Sequence, residues 1–236
     1  MQRSFVVASL GLVLAACGSD SGSPGGDGDG GPGDGDGGGT PADAAPIEHA
    51  LMPAVAHSGF DGVNAYKVPV YTTLEDAVWD IGDESVATIE SVELPPDLEP
   101  VLGTFGKSWA MITTASAGTT TFYASADGID LEASLMVLDY DSAVVAVGDT
   151  RYNDPDNPNA TDRIACQDCH GAEDGVDHTP LAMAYRDDAE LLQIIADSEY
   201  PEGGLVLDGD HAWNLTEPEA GGIVPYLRSL QPRGFE

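Results

Sequence analysis

A chain of 236 residues with 41 Asp+Glu against 8 Lys+Arg, a formal net charge of −33, has room for one or two folded domains and is too acidic to hold a nucleic-acid backbone. That charge suits a basic protein partner, and it also keeps an exported protein soluble. The three cysteines, one near the N-terminus and two in a short motif, exclude a disulfide-framework scaffold.

The chain begins with Arg3 and an apolar run over residues 5–14, which is too short to cross a bilayer and has the form of an export signal. Leu14-Ala15-Ala16-Cys17 resembles the lipobox of bacterial lipoproteins. That resemblance implies that residues 1–17 form the signal segment, that cleavage falls before Cys17, and that its thiol receives the lipid anchor. Gly18 is not the aspartate of an inner-membrane retention signal, so the expected location is the outer membrane, on its periplasmic or cell-surface face. Residues 18–47 are Gly, Asp, Ser and Pro with almost nothing apolar, and such a segment cannot bury enough surface to fold. They are expected to form a disordered tether reaching roughly 30 Å.

From residue 48 to 140 the pattern becomes period two and β-branched. Strands are expected over residues 67–71, 77–81, 86–92, 110–115, 119–124 and 129–137, separated by turn formers such as Gly82-Asp83, Pro95-Pro96 and Asp127-Gly128. In the last of these, Ile129, Leu131, Ala133, Leu135 and Val137 share one face and are expected to point to a core. Short strands with turns at this spacing argue for an antiparallel sandwich. Trp79-Asp80-Ile81 with Asp83-Glu84-Ser85-Val86-Ala87-Thr88-Ile89, followed by Ser116-Ala117-Gly118-Thr119-Thr120-Thr121-Phe122-Tyr123-Ala124, resembles bacterial Ig-like domains. The likeness spans about residues 60–138, departs over residues 90–109 in a Pro-rich insertion, and implies a spacer or adhesive module with Trp79 in its core. His49 and His57 stand apart from other chemistry-bearing residues and read as surface histidines.

Residues 141–236 carry the chemistry. Cys166-Gln167-Asp168-Cys169-His170 spells C-x-x-C-H, the attachment signature of c-type haem: two thiols three positions apart for two thioethers, and an adjacent imidazole for the iron. A thioredoxin-type dithiol needs a βαβ setting that the surrounding pattern lacks. A structural zinc site using these residues with His178 or His211 would want a second close-spaced ligand pair, which is absent. Asp187 with Glu190 is a capping box ahead of Leu191, Leu192, Ile194 and Ile195, and Thr216 with Glu219 is one ahead of an apolar face of Ile223, Tyr226, Leu227 and Leu230, so two helices are expected, the second with a kink at Pro225.

The order of the motif, a loop with Pro180, a middle helix and Ile223-Val224-Pro225-Tyr226-Leu227-Arg228-Ser229-Leu230 resembles class I cytochrome c over about residues 145–233. The resemblance implies one covalently attached haem c, with Cys166 and Cys169 as attachment sites, His170 as proximal ligand and single-electron transfer as the function. It also implies that Pro180 offers its carbonyl to His170, although a simple turn role fits Pro180 equally. The family's distal methionine has no counterpart in the loop before the last helix. His211 stands there and is the expected sixth ligand, with Met183, His178 and an open position as alternatives. Arg151 is a candidate for haem propionates, whereas Arg228 fits the C-terminal dipole of its helix. The acidic loop over residues 154–162 lacks EF-hand spacing.

The expected fold is therefore multidomain: an all-β Ig-like sandwich (48–140) followed by a small all-α cytochrome c domain (141–236), behind a lipoprotein signal (1–17) and a Gly/Asp-rich linker (18–47). The expected function is electron relay to a redox protein partner outside the cytoplasm, not catalysis. The alternatives are a peroxidase-like enzyme with a displaceable distal ligand, and a surface adhesion or sensory lipoprotein.

Overall fold

The computed structural model describes residues 49–153, 165–170, 177–204 and 213–235. The signal segment, Cys17, the linker, the acidic loop and His211 lie outside the described residues.

The strands are β1 (Leu51–Met52), β2 (Val55–Phe60), β3 (Lys67–Thr72), β4 (Val78–Ile81), β5 (Ala87–Val92), β6 (Ser108–Thr114), β7 (Gly118–Ala126) and β8 (Ile129–Asp139). They form two four-stranded sheets, ordered β1-β3-β6-β5 and β2-β8-β7-β4. With the first, third, sixth and fifth strands in one sheet and the fourth, seventh and eighth in the other, the order is that of immunoglobulin-type sandwiches. β2 runs parallel to β8 and adds a fourth strand to the second sheet. Alternation places Val68 and Val70, Ala110 and Ile112, Phe122 and Ala124, and Leu135 and Val137 inward, where they form one continuous core. Along β8 the inward face is buried from Ala133 onward, while Ile129 and Leu131 are only partly covered at the strand's start. Trp79 packs half-buried against this core.

The helices are α1 (Glu99–Leu102), inside the Pro-rich insertion, then α2 (Ser142–Asn153), α3 (Gln167–His170), α4 (Pro180–Met183), α5 (Asp188–Asp197) and α6 (Glu217–Ser229). Both capping boxes form. The Asp187 carboxylate accepts from Glu190 N at 2.9 Å, and the Glu219 carboxylate accepts from Thr216 N at 2.7 Å. α6 runs through Pro225 as one helix and buries Ile223, Val224 and Leu227 beside Leu191 and Ile195 of α5. α2 and α6 cross at two glycines. A Cβ on Gly148 would overlap the Gly222 carbonyl, and one on Gly222 would lie 2.7 Å from Gly148 N, so only hydrogen at both positions permits this approach.

The expectation of a sandwich followed by a separate small all-α domain is overturned. The described residues all belong to one compact unit, Ile47–Glu236, in which the helices form a layer fastened to the sandwich. His57 N on β2 donates to Ala184 O at 2.7 Å, and Ala184 itself belongs to the sandwich core. Arg228 of α6 is 2% exposed and donates to Asp188 Oδ1 at 2.7 Å, to Arg186 O at 2.8 Å and to His57 O at 3.0 Å. Tyr140, just past β8, donates its hydroxyl to the other Asp188 oxygen at 2.7 Å. Near the C-terminus Phe235 lies 6.2 Å from Trp109 of β6, ring centre to ring centre. A buried guanidinium must find partners for its charge and its donors. Arg228 takes one of them from the sandwich, so the two parts share their interior. Two readings change with this: His57 is a half-buried strand residue rather than a surface histidine, and Arg228 serves as a buried strut rather than as a dipole-matching surface charge.

Candidate functional site

The cysteine motif begins at the buried pair Ala165 and Cys166 and closes into the single turn of α3. Cys169 N and His170 N both donate to Cys166 O, at 3.2 and 3.1 Å, so the turn folds back on the first cysteine. Gln167 Nε2 donates to the carbonyl of Asn153, the last residue of α2, at 2.9 Å and ties the motif to that helix. Residues three apart on a helical turn can share a face, yet Cys166 lies in the wall of the cleft described below while Cys169 is not among its lining residues. Both thiols are free, Cys166 buried and Cys169 exposed. Burial, the largest influence, pushes the Cys166 thiol above its usual range, although Arg151 pulls the other way. A reactive dithiol calls for the opposite shift and a more accessible sulfur.

Cys166 and His170 face a narrow cleft whose free space is about 10 Å3, room for about one water. Its walls are Tyr152 from α2, Ile195 from α5, Ile223 and Leu227 from α6, and Trp213 and His178 from the connecting segments. Ile223 and Leu227 are one helical turn apart, so the apolar stripe predicted for α6 supplies one whole wall. Arg151 stands over Trp213 with its guanidinium carbon 5.8 Å from the ring centre, which places this buried cation at the cleft's aromatic edge. Tyr152 packs on Tyr226 at 5.3 Å, and burial pushes its hydroxyl up to about 12.

His170 meets His178 directly: their rings stack with centroids 3.5 Å apart and planes 21° apart. Pro180 is buried at the start of α4, and its carbonyl accepts from Ala184 N at 3.1 Å. Met183, the last residue of α4, packs on the helical core and is not among the residues lining the cleft. Arg228 points away from the cleft, into its strut. The structure thus brings together Cys166, His170 and His178, and it adds Tyr152 and Ile195, which the motif reading did not single out. Ile195 was visible as part of the apolar face of α5, but nothing near Tyr152 in sequence marks it as a wall. Among the described residues no group of three or more His, Cys, Asp and Glu side chains could hold a metal ion, and no helix is long and apolar enough to cross a membrane.

No protein-family model and no curated protein matches the chain. Among solved structures, domains 4 and 5 of the S-layer protein SbsC are similar over 38% of this chain and 50% of that chain, at 14% identity and a TM-score of 0.27. The Ig1-Ig2 structure of Dpr2 in complex with DIP-Theta Ig1-Ig3 is similar over 39% of this chain and 32% of that one, at 8% identity and a TM-score of 0.27. The chain spans half or less of the length of these two solved chains.

Proposed function

We propose that the cleft holds one haem c, attached through Cys166 and Cys169 with His170 as axial ligand, and that the protein relays single electrons outside the cytoplasm. The observation that carries this reading is the cleft itself: a buried thiol and an imidazole of the C-x-x-C-H motif face walls of Ile195, Ile223, Leu227, Tyr152 and Trp213. The chemistry of these residues fits the group, because a porphyrin needs apolar walls and contributes the equatorial donors itself, so one or two imidazoles complete the iron's coordination; the cleft, with free space of about 10 Å3, has to widen to admit it. Bound there, haem supplies a one-electron couple. Cys166 and Cys169 would hold it covalently, His170 would ligate its iron, and the aliphatic wall of α6 would keep water from one side. His211 is proposed as the second axial ligand, from its place ahead of the last helix. Cys17 is proposed as a lipid anchor in the outer membrane, and the net charge of −33 favours a redox partner with a basic docking face.

The test is production of the full chain with cytochrome c maturation machinery. The expected product carries one haem that survives denaturing electrophoresis and gives a six-coordinate, low-spin spectrum. Absence of covalent haem would overturn the reading. His211→Ala is expected to turn that spectrum high-spin, and an unchanged spectrum removes His211 from the ligand set.

A further inference from the structure

His178 lies eight positions beyond His170 in sequence, yet its ring is flat against the His170 ring, 3.5 Å between centroids and 21° between planes. The backbone on its C-terminal side is tied down. The Asp177 carboxylate accepts from Thr179 N at 2.8 Å, and the Thr179 carbonyl accepts from Ala182 N and Met183 N at 3.0 and 3.1 Å. Thr179 Oγ1 accepts from Arg233 N at 3.1 Å, and the next residue is the buried Pro180, whose ring fixes its own φ. Tyr152 stands 6.2 Å from the His178 ring, centre to centre, and itself packs on Tyr226 of α6. His178 is therefore held between the helical layer and the cysteine motif. His170, in contrast, ends a helix of a single turn, and the terminal torsion of a histidine is broad and roughly two-fold. A ring fastened elsewhere and stacked on its face restrains the plane of that imidazole.

We propose that His178 is the positioning residue for His170: by stacking on its face it fixes the plane of the His170 imidazole. The proposal rests on the reading of His170 as an axial haem ligand. The plane of an axial imidazole sets the asymmetry of the field at the iron, and partners that orient a ligating histidine are a recognised lever on a metal site. The chemistry asked of His178 is that of a flat ring, so an aromatic replacement should serve and an aliphatic one should not.

The test uses the full chain with haem attached, as wild type, His178→Ala and His178→Phe. Electron paramagnetic resonance of the ferric state and the midpoint potential are read, with thermal unfolding as the control for folding. All three proteins are expected to stay low-spin. His178→Ala should shift the g-values and the potential, and His178→Phe should restore both towards wild type. Wild-type g-values in His178→Ala, or equal shifts in both variants, would overturn the proposal. A high-spin spectrum in both would also overturn it, since His178 would then be a ligand itself. A second measurement needs neither variant nor haem: in the wild-type chain without haem, nuclear Overhauser contacts between the two imidazoles are expected, and their absence overturns the stack. If no haem attaches at all, the proposed function fails while this second measurement still decides the positioning contact.

Discussion

Arg228 shows how much one side chain can organise. Its guanidinium is 2% exposed, and its donors reach a carboxylate and two carbonyls from two separate segments, the start of α5 and strand β2. Arg228→Met is therefore expected to lower stability by roughly 3 kcal/mol, near the low end for removing one partner of a buried pair because Asp188 keeps Tyr140 and some solvent. Denaturant unfolding measures this, and a loss below about 1 kcal/mol would place the pair in the class of surface ion pairs. His57, on the strand that Arg228 grips, has its pKa lowered from 6.5, first by burial and then by the Arg228 charge. The folded state thus resists protonation more than the unfolded chain does. The contribution of this residue is fully present above pH 6.5, and it declines as pH falls from 6.5 through the lower folded value. His57→Gln should flatten stability against pH in that window, and an unchanged slope would assign it to other groups.

At the scale of elements, α2 and α6 make a sharp contrast in how much local sequence reveals. α6 announced itself by a capping box and a stripe at Ile223, Tyr226 and Leu227. α2 did not, because its apolar residues are spread around the helix and its close approach at Gly148 depends on Gly222, over 70 residues away. The two glycines of α6 should respond oppositely to alanine. Gly221 has nothing within 4 Å of where its Cβ would go, so Gly221→Ala should stabilise by about 1 kcal/mol through helix propensity. Gly222→Ala meets the α2 backbone and should cost roughly 1–3 kcal/mol or more. Thermal melts of the two variants decide, and the same sign for both would sink the account of the crossing. β1 and β2 were likewise missed: β1 is two residues long, and β2 carries His57, Ser58 and Gly59 where an alternating apolar pattern would be sought.

For the whole molecule, the consequence is that the sandwich is part of the site's scaffold rather than a detachable spacer. The helical wall of the cleft is anchored through Arg228 to β2, and through Asp188 to Tyr140 beside the end of β8. A fragment of residues 141–236 lacks both β2 and Tyr140, so it is expected to show no cooperative unfolding, whereas residues 47–236 should unfold in one transition. Circular dichroism during thermal unfolding compares them. A cooperative fragment would restore an independent helical domain.

The sequence by itself determined what depends on near neighbours: the spacing of Cys166, Cys169 and His170, the alternation of β3 to β8, and the caps at Asp187 and Thr216. Each is set by the geometry of a turn or a pleat, within a few residues. Only the tertiary structure decided that Arg228 meets Asp188 and His57, that Gly148 meets Gly222, and that His178 lies on His170. Those pairings arise when separated segments share one interior, where packing leaves room for a particular ring or a bare Cα and a buried charge must be matched. No local pattern encodes where such an interior will close.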